Sequence, residues 1–433
     1  MRIIELNEAN KTELKKTLEK RSTNHFAEIE SRVAEIIANV REKGDAALFD
    51  YSERFDHYPL TQDNIRVTED EIEAAVAAVD PEFLVVLKKA AENIRRFHEK
   101  QKRLSWIDTE PDGTILGQRF TPLEIAGVYV PGGKAAYPSS LLMSVVTAKV
   151  AGVERIVMLT PPGQGGEISK ETLAAARVAG VDEIYRVGGA QAIAAMAYGT
   201  ESIPKVHKIC GPGNIYVALA KKAVYGQVSI DSVAGPSEIL VLADASAEPR
   251  YVAADLLSQA EHDEMASAIL VTTSAKLAEE VRDEIGRMVP KLERKEIIQK
   301  SLDNFGFIFV AEDMDTALAA VNDIASEHLE IITREPYQVM TKVRNAGAIF
   351  LGPYSSEPLG DYFAGPNHIL PTNGTAKFFS PLNVDDFVKK TSIISYSREA
   401  LERDADDIMF FANKEGLTAH ANSIGVRFHK EKA

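Results

Sequence analysis

From about Leu123 onward the chain keeps one rhythm: a short β-branched or aromatic run, a Gly/Pro turn, then an Ala-rich stretch with helical spacing. Gly127–Val130 leads to a Gly-Gly turn and a helix through Leu141–Ala151. Arg155–Thr160 leads to a helix near Lys170–Ala179, Glu183–Val187 to one through Ala190–Tyr198, and Lys208–Cys210 to one through Ile215–Val224. Further strands are expected at Ile239–Ala243, Ala268–Thr272, Gly306–Val310, Glu330–Thr333 and Ala348–Leu351. Such alternation makes a parallel sheet, because a parallel neighbour is reached only by a crossover. The strands are too many for one comfortable sheet, and 433 residues suit several units better than one core. The expected fold is therefore α/β with two doubly wound domains.

The flanks differ. Residues 1–120 read as mostly helical and charged: Ile29, Val33, Ile36, Ile37 and Val40 recur at helical spacing, and a second such helix covers Pro81–Lys102. After about Ser380 the rhythm gives way to a strand at Ser392–Tyr396 and helices at Glu399–Asn413 and Thr418–Asn422. Such a tail is either an oligomer contact or a simple cap.

Charge narrows the partners. Asp and Glu total 64 against 49 Lys and Arg, a formal net charge of −15. An acidic surface repels phosphodiester backbones and anionic lipid, so neither nucleic acid nor membrane is expected. The single cysteine, Cys210, leaves no partner for a disulfide within the chain and suits a reducing compartment. Its apolar setting reads as packing rather than nucleophilic chemistry. The opening MRIIELNEANKTELKK has no apolar core of signal-peptide length, and no apolar run approaches the ~20 residues of a membrane span. A cytoplasmic location is the expectation.

Several segments carry candidate chemistry. Gln259 and His262 stand three apart on an expected helix, hence on one face, as convergent anchors require. Glu327 and His328 place a carboxylate beside the side chain that titrates near neutrality. Gly360–His368 sets Asp361 and His368 in a Gly/Pro loop of a kind that rarely serves a core, and His420 also has polar neighbours. His25, His57, His98, His207 and His429 have no obvious partners and read as surface or packing. No HExxH or paired-Cys motif is present, so a metal site would need ligands from distant segments. The Gly turns at Pro131–Gly133, Gly188–Gly189 and Gly211–Gly213 follow strands. There, backbone can approach an anion at a helix N-terminus. Yet GxGxxG fails after Asn214, and Gly127 to Lys134 is too long for a P-loop. The turns are either ligand sites or ordinary βα connections. Tyr129, Gln191 and Asn214 beside them either contact a nucleotide or cap helices.

Taken together, the runs GVYVPGGKAAYPSSLLM (127–143), VGGAQAIAAMAYGT (187–200), ICGPGNIYV (209–217) and DSVAGPSEILVLAD (231–244) resemble the histidinol dehydrogenase family. So do DLLSQAEHD (255–263), ASEHLEI (325–331), GDYFAGPNHILPT (360–372) and KEGLTAHANSI (414–424), in the family's order. The resemblance implies a zinc-dependent, NAD-linked, two-step oxidation of L-histidinol through L-histidinal to L-histidine, closing histidine biosynthesis. It puts zinc ligands on Gln259, His262, Asp361 and His420, the last from the partner chain of a homodimer. It puts dinucleotide contacts on Tyr129, Gln191 and Asn214, and the proton-transfer pair on Glu327 and His328. It puts substrate contacts on Ser237, Gln259, His262, His328, Asp361, His368, Glu415 and His420, with Glu415 also reaching across the interface. Cys210 departs from the family's apolar aromatic, which disfavours cysteine chemistry.

The implied fold has two incomplete Rossmann-like domains plus terminal arms. Their expected bounds are 1–28 for an N-terminal arm, 29–129 with 237–379 for a first, discontinuous domain, 130–236 for an inserted domain and 380–433 for a C-terminal dimerisation arm. Two rivals stand beside this reading: a same-fold enzyme acting on another small alcohol, and a non-catalytic nucleotide- or metal-binding module.

Overall fold

The structure, a computed structural model, describes residues 1–19, 21, 27–132 and 137–428. His25, His429, Gly133 of the first Gly turn, and Lys134 with Ala135 of the rejected P-loop lie outside the described residues. In chain order the strands are β1 (Arg2–Glu5), β2 (Trp106–Thr109), β3 (Ile115–Pro122), β4 (Ile125–Tyr129), β5 (Arg155–Thr160), β6 (Glu183–Arg186), β7 (Lys208–Cys210) and β8 (Ser229–Ile230). They continue with β9 (Glu238–Ala243), β10 (Ser267–Thr272), β11 (Gly306–Val310), β12 (His328–Ile332), β13 (Ala348–Leu351) and β14 (Val388–Ser395).

Two compact units result. One comprises Met1–Gln101 with Leu123–Phe387; the other comprises Lys102–Pro122 with the chain from Val388 onward. The first unit holds two wholly parallel sheets, ordered β1-β11-β10-β9-β12-β13 and β6-β5-β4-β7-β8. Both are doubly wound. From β9 the chain builds outward through β10 and β11, then returns to β9's other side with β12. From β4 it builds through β5 and β6, then returns with β7. Every residue of β9 and β10 is buried, which explains their near-continuous apolar runs: a parallel strand covered on both faces has no wet side.

Helices outside the rhythm find their place by packing. The helix Ala27–Lys43 inserts Val33, Ile36 and Val40 into the core that holds Val157, Leu159 and Ile193. The helix Pro81–Glu99 inserts Leu87, Ala90, Ala91 and Ile94 beside Leu141 and Val145. Both therefore cover the five-stranded sheet. Of residues 29–129, expected to group with 237–379, these helices and β4 thus pack with the five-stranded sheet. Helical periodicity says that a face is apolar; it does not say which sheet the face meets. Residues 1–28, expected as an arm, supply β1, which pairs with β11 at the edge of the six-stranded sheet.

The second unit carries a three-stranded antiparallel sheet, β14-β3-β2. The helical reading of residues 1–120 misses β2 and β3. β2 is exposed along its whole length, so no apolar alternation marks it, and β3 pairs with β14 across a long sequence separation. The expected strand at Ser392–Tyr396 is the end of the longer β14.

One measurement checks the seating of the first long helix. Val40→Ala removes two buried methyl groups and should destabilise by roughly 1–3 kcal/mol, lowering the melting temperature by a few degrees. Glu35→Ala, on the exposed face of the same helix, should leave it unchanged.

Candidate active site

Strand β12 begins two residues earlier than the expected Glu330. Glu327 immediately precedes it and His328 is its first residue, not a loop residue ahead of the expected Glu330–Thr333. Polar side chains conceal the strand, yet its neighbours are fixed: His328 lies opposite Ile239 of β9 and Ala348 of β13. Gly347 lets β13 come close, since a Cβ there would collide with the main chain of Glu327.

The first residue of β9 orients both groups. The Glu238 amide donates to Glu327 Oε2 at 2.8 Å. The His328 Nδ1–H donates to the Glu238 carbonyl at 3.0 Å. This fixes the tautomer and leaves Nε2 as the proton-exchanging atom. Nε2 is buried, has no hydrogen-bond partner and faces Asp361 Oδ1 at 3.8 Å. Glu327 Oε2 lies 3.7 Å from Nδ1. Burial, opposed by the neighbouring His328, raises Glu327 to about 7. Burial pulls His328 down, but the Glu327 and Asp361 carboxylates outweigh it and hold the imidazole at about 10.

Around this couple stands a set of donors suited to a cation. Gln259, near the end of the helix Pro249–Ala260, is 0 % exposed, and neither amide atom has a hydrogen-bond partner. Such a group is costly to bury without a ligand. His262 lies just past the helix, beyond the capping residue Glu261, rather than on the helix as expected. The turn continues, because the His262 amide reaches the Gln259 carbonyl at 3.2 Å, so the two stay neighbours. Ligand atoms of His262, Glu357 and Asp361 all lie within 4.8 Å of one another. Asp361, on the short helix Glu357–Tyr362, is held down at about 2: burial opposes ionisation, but His328 and His368 prevail. His368 Nδ1–H donates to the Asp361 carbonyl at 3.0 Å, and its Nε2 accepts from Ser140 Oγ at 3.0 Å. An oxygen- and nitrogen-rich, sulfur-free set of this kind fits a zinc-like divalent ion.

Two further carboxyls, Glu330 and Asp255, adjoin Glu357 of the cradle. Glu330 Oε1 accepts the Glu357 amide at 2.7 Å, anchoring the start of the helix that carries Asp361. Its Oε2 is buried against Asp255. Two acids together in a buried site disfavour a second negative charge, so each is harder to ionise beside the other. Burial raises Asp255 to about 6 and lifts Glu330 well above the carboxylate range. Burial and Asp361 together lift Glu357 to about 8, and Ser258 Oγ donates to it at 3.0 Å.

The expected nucleotide residues gather on the other sheet. Tyr129 ends β4, and its hydroxyl accepts the Gly189 amide at 3.0 Å at the start of the helix Gly189–Tyr198. Gln191 is buried in that helix's first turn. Asn214 caps the helix Ile215–Val224, its side-chain oxygen accepting the Tyr216 and Val217 amides. Between them Gly211 has φ 112° and lies so close to Tyr129 that a Cβ would strike its carbonyl. The buried Lys221–Asp231 ion pair clamps Gly211, Lys221 on its carbonyl and Asp231 on its amide. Tyr129 and Gly211 thus stand at the carboxyl ends of β4 and β7, the point where the winding reverses and where open α/β sheets bind ligands. The acid–base couple instead occupies the amino ends of β9 and β12. Ser140, on the helix Pro138–Ala151 that follows β4, joins the two regions through His368.

Ser237 precedes β9, and its carbonyl accepts the Ser267 amide. Glu415 and His420 belong to the second unit, both exposed: Glu415 caps the helix Arg398–Lys414 and His420 lies in Thr418–Gly425. Cys210 is fully buried and burial pushes its thiol far up, so it is a packing residue. The sequence reading misses Glu238, Ser140, Glu330 and Glu357. A charged residue leading or interrupting an otherwise apolar strand, as in Glu238 and Glu330, is the signal that was available.

Residues 19–428 match the family model described as histidinol dehydrogenase. A Listeria monocytogenes protein named histidinol dehydrogenase is 56% identical over 410 residues, covering 95% of each chain. One from Halalkalibacterium halodurans is 59% identical over 403 residues, covering 93% of this chain and 95% of its own. The crystal structure of histidinol dehydrogenase from Elizabethkingia anophelis superposes with a TM-score of 0.93 at 36% identity, covering 99% of this chain and 98% of that one.

The cradle predicts cation binding that calorimetry can measure. Chelator-treated protein should take up zinc, and Gln259→Leu should weaken uptake by at least about tenfold, the loss that even outer-shell partners cause. Equal affinity in the variant would remove Gln259 from the site.

Proposed function

The chain belongs to the histidinol dehydrogenase family, and on that footing we propose that it oxidises L-histidinol to L-histidine in two NAD-linked steps at a zinc site. The observation that carries this reading is a buried imidazole–carboxylate couple beside an amide with no partner and a converging His262, Glu357 and Asp361. Gln259, His262 and Asp361 would hold the ion, with His420 of a second copy completing the set. Bound zinc would grip the substrate's imidazole and amine, and two molecules of NAD, bound in turn, would each supply the acceptor for one hydride.

The chain's own groups then move protons. His328 Nε2 takes the hydroxyl proton in the first oxidation. Glu327, poised near neutrality, activates water for addition to the aldehyde, and His328 takes a proton again in the second oxidation. Ligation would neutralise Asp361, one of the two carboxylates that keep His328 protonated, and so favour the free imidazole that a base must present. His368, Glu415 and Ser237 are proposed to bind substrate, and Tyr129, Gln191 and Asn214 to bind the dinucleotide at the winding reversal.

A homodimer belongs to the same proposal. The second unit exposes Trp106, Ile107, Leu116 and Ile394 on its sheet, and Phe410 and Phe411 on its helix. Apolar surface of this kind favours a partner. Among the described residues no helix is long and apolar enough to cross a membrane. A cytoplasmic site of action is proposed from the lone, buried thiol.

Two measurements test the reading. Glu327→Gln should slow aldehyde oxidation at least about 10²-fold, the usual worth of a positioned acid–base group, and alcohol oxidation far less. Equal losses in the two half-reactions would refute the water-activating role. Mixed His262→Asn and His420→Asn chains, each inactive alone, should recover activity after exchange, because one site of each mixed dimer regains all its ligands. No recovery despite demonstrated exchange would refute a shared site.

A further inference from the structure

The catalytic couple owes its orientation to one residue, and that residue is held by a guanidinium far away in the chain. Arg21 is 1 % exposed. Its Nε donates to the Met265 carbonyl at 2.6 Å, and its Nη1 to Glu238 Oε1 at 3.0 Å. Its Nη2 donates to the carbonyls of Pro236 and Ser237, both at 2.9 Å. Four hydrogen bonds thus fan out over the turn before β10 and the three residues that open β9. Glu238 Oε1 is braced from the far side by the Asn373 amide at 3.2 Å. The side chains of the ion pair are 0 % and 5 % exposed, and the Arg21 ring contact is with Phe305.

We propose that Arg21 is a positioning residue for proton transfer: it fixes the Pro236–Glu238 main chain, whose Glu238 amide and carbonyl in turn hold Glu327 and His328. Arg21 makes none of these hydrogen bonds to Glu327 or His328 themselves, so its hold on their orientation passes through Glu238, while its charge is also felt by Glu327. Lysine cannot replace it. An ammonium supplies one point of charge, whereas three fixed nitrogens are needed to reach two strand openings at once. Loss of the fork frees the Glu238 peptide to rotate. Glu327 then loses its amide donor, and His328 loses the acceptor that keeps the proton on Nδ1.

This inference rests on the catalytic reading above, and the test separates the two. Arg21→Lys keeps a cation beside the buried carboxylate. The double variant Arg21→Met with Glu238→Gln removes both charges together, which avoids leaving one uncompensated. Each zinc-loaded variant is compared with the wild-type enzyme for melting temperature, bound zinc, kcat and KM with L-histidinol and NAD, and the nitrogen NMR signals of the His328 ring. The expectation is bound zinc at the wild-type level, KM within about threefold and kcat lower by about 10–100-fold, the range for outer-shell partners. The His328 ring should lose the Nδ1–H state that its bond to the Glu238 carbonyl selects in wild type. A folded variant with kcat within twofold and an unchanged ring spectrum overturns the proposal, and so does failure of both variants to fold, which would make Arg21 a stability residue. Absence of turnover in the wild type would count against the catalytic reading alone, since the ring spectrum still decides the role of Arg21.

Discussion

Two hydrogen bonds to one peptide unit's neighbours, the Glu238 amide to Glu327 and the Glu238 carbonyl from His328, set the chemistry of this molecule. They exist because β9 and β12 are adjacent parallel strands in a register that sets His328 opposite Ile239, the residue after Glu238. A backbone donor and a backbone acceptor are as rigid as the sheet that carries them. The imidazole is therefore placed by the most buried part of the fold, not by a loop. Around it, Asp361 arrives on a short helix tied to Glu330 in the middle of β12, and Gln259 on a helix that follows β9. Each anchor traces back to the same central strands.

The division of labour between the sheets follows. On the five-stranded sheet the winding reverses beside Tyr129 and Gly211, at the strand carboxyl ends where open α/β sheets bind ligands. The six-stranded sheet offers the opposite ends of its strands, where helix C-termini and strand starts bring side chains together. The helix that leaves β4 spans the distance: its Ser140 reaches His368, which leans on Asp361. Under the proposed function, dinucleotide and proton acceptor would come from separate halves of one unit, each using a different end of its strands.

The alternation of strands and helices after Leu123 was readable because buried parallel strands tolerate little but apolar residues. His262, Glu327, His328, Asp361 and His368 lie together, with Gln259 one turn from His262; the expectation that they gather comes from the family resemblance, since spacing alone joins only near neighbours in sequence. Other features stayed hidden for physical reasons. His328 was left out of its strand because polarity disguises a strand residue whose side chain serves a site. β2 carries no alternation because it has no buried face. The helices of residues 27–99 display an apolar stripe, but the sheet beneath it is chosen by long-range packing. Arg21, Glu238 and Ser140 act across separations of hundreds of residues, and no local pattern announces them.

The burial of Asp255 beside Glu330 has a thermodynamic corollary. An unfolded chain exposes both acids to water, where each ionises at its ordinary value; in the native pair both are harder to ionise. Folding of this pair therefore favours proton uptake, and its share of the stability falls as pH rises through the raised native values. Alkalinity taxes the native state by this route, so the compartment's own acidity becomes one of the reagents from which the molecule is assembled.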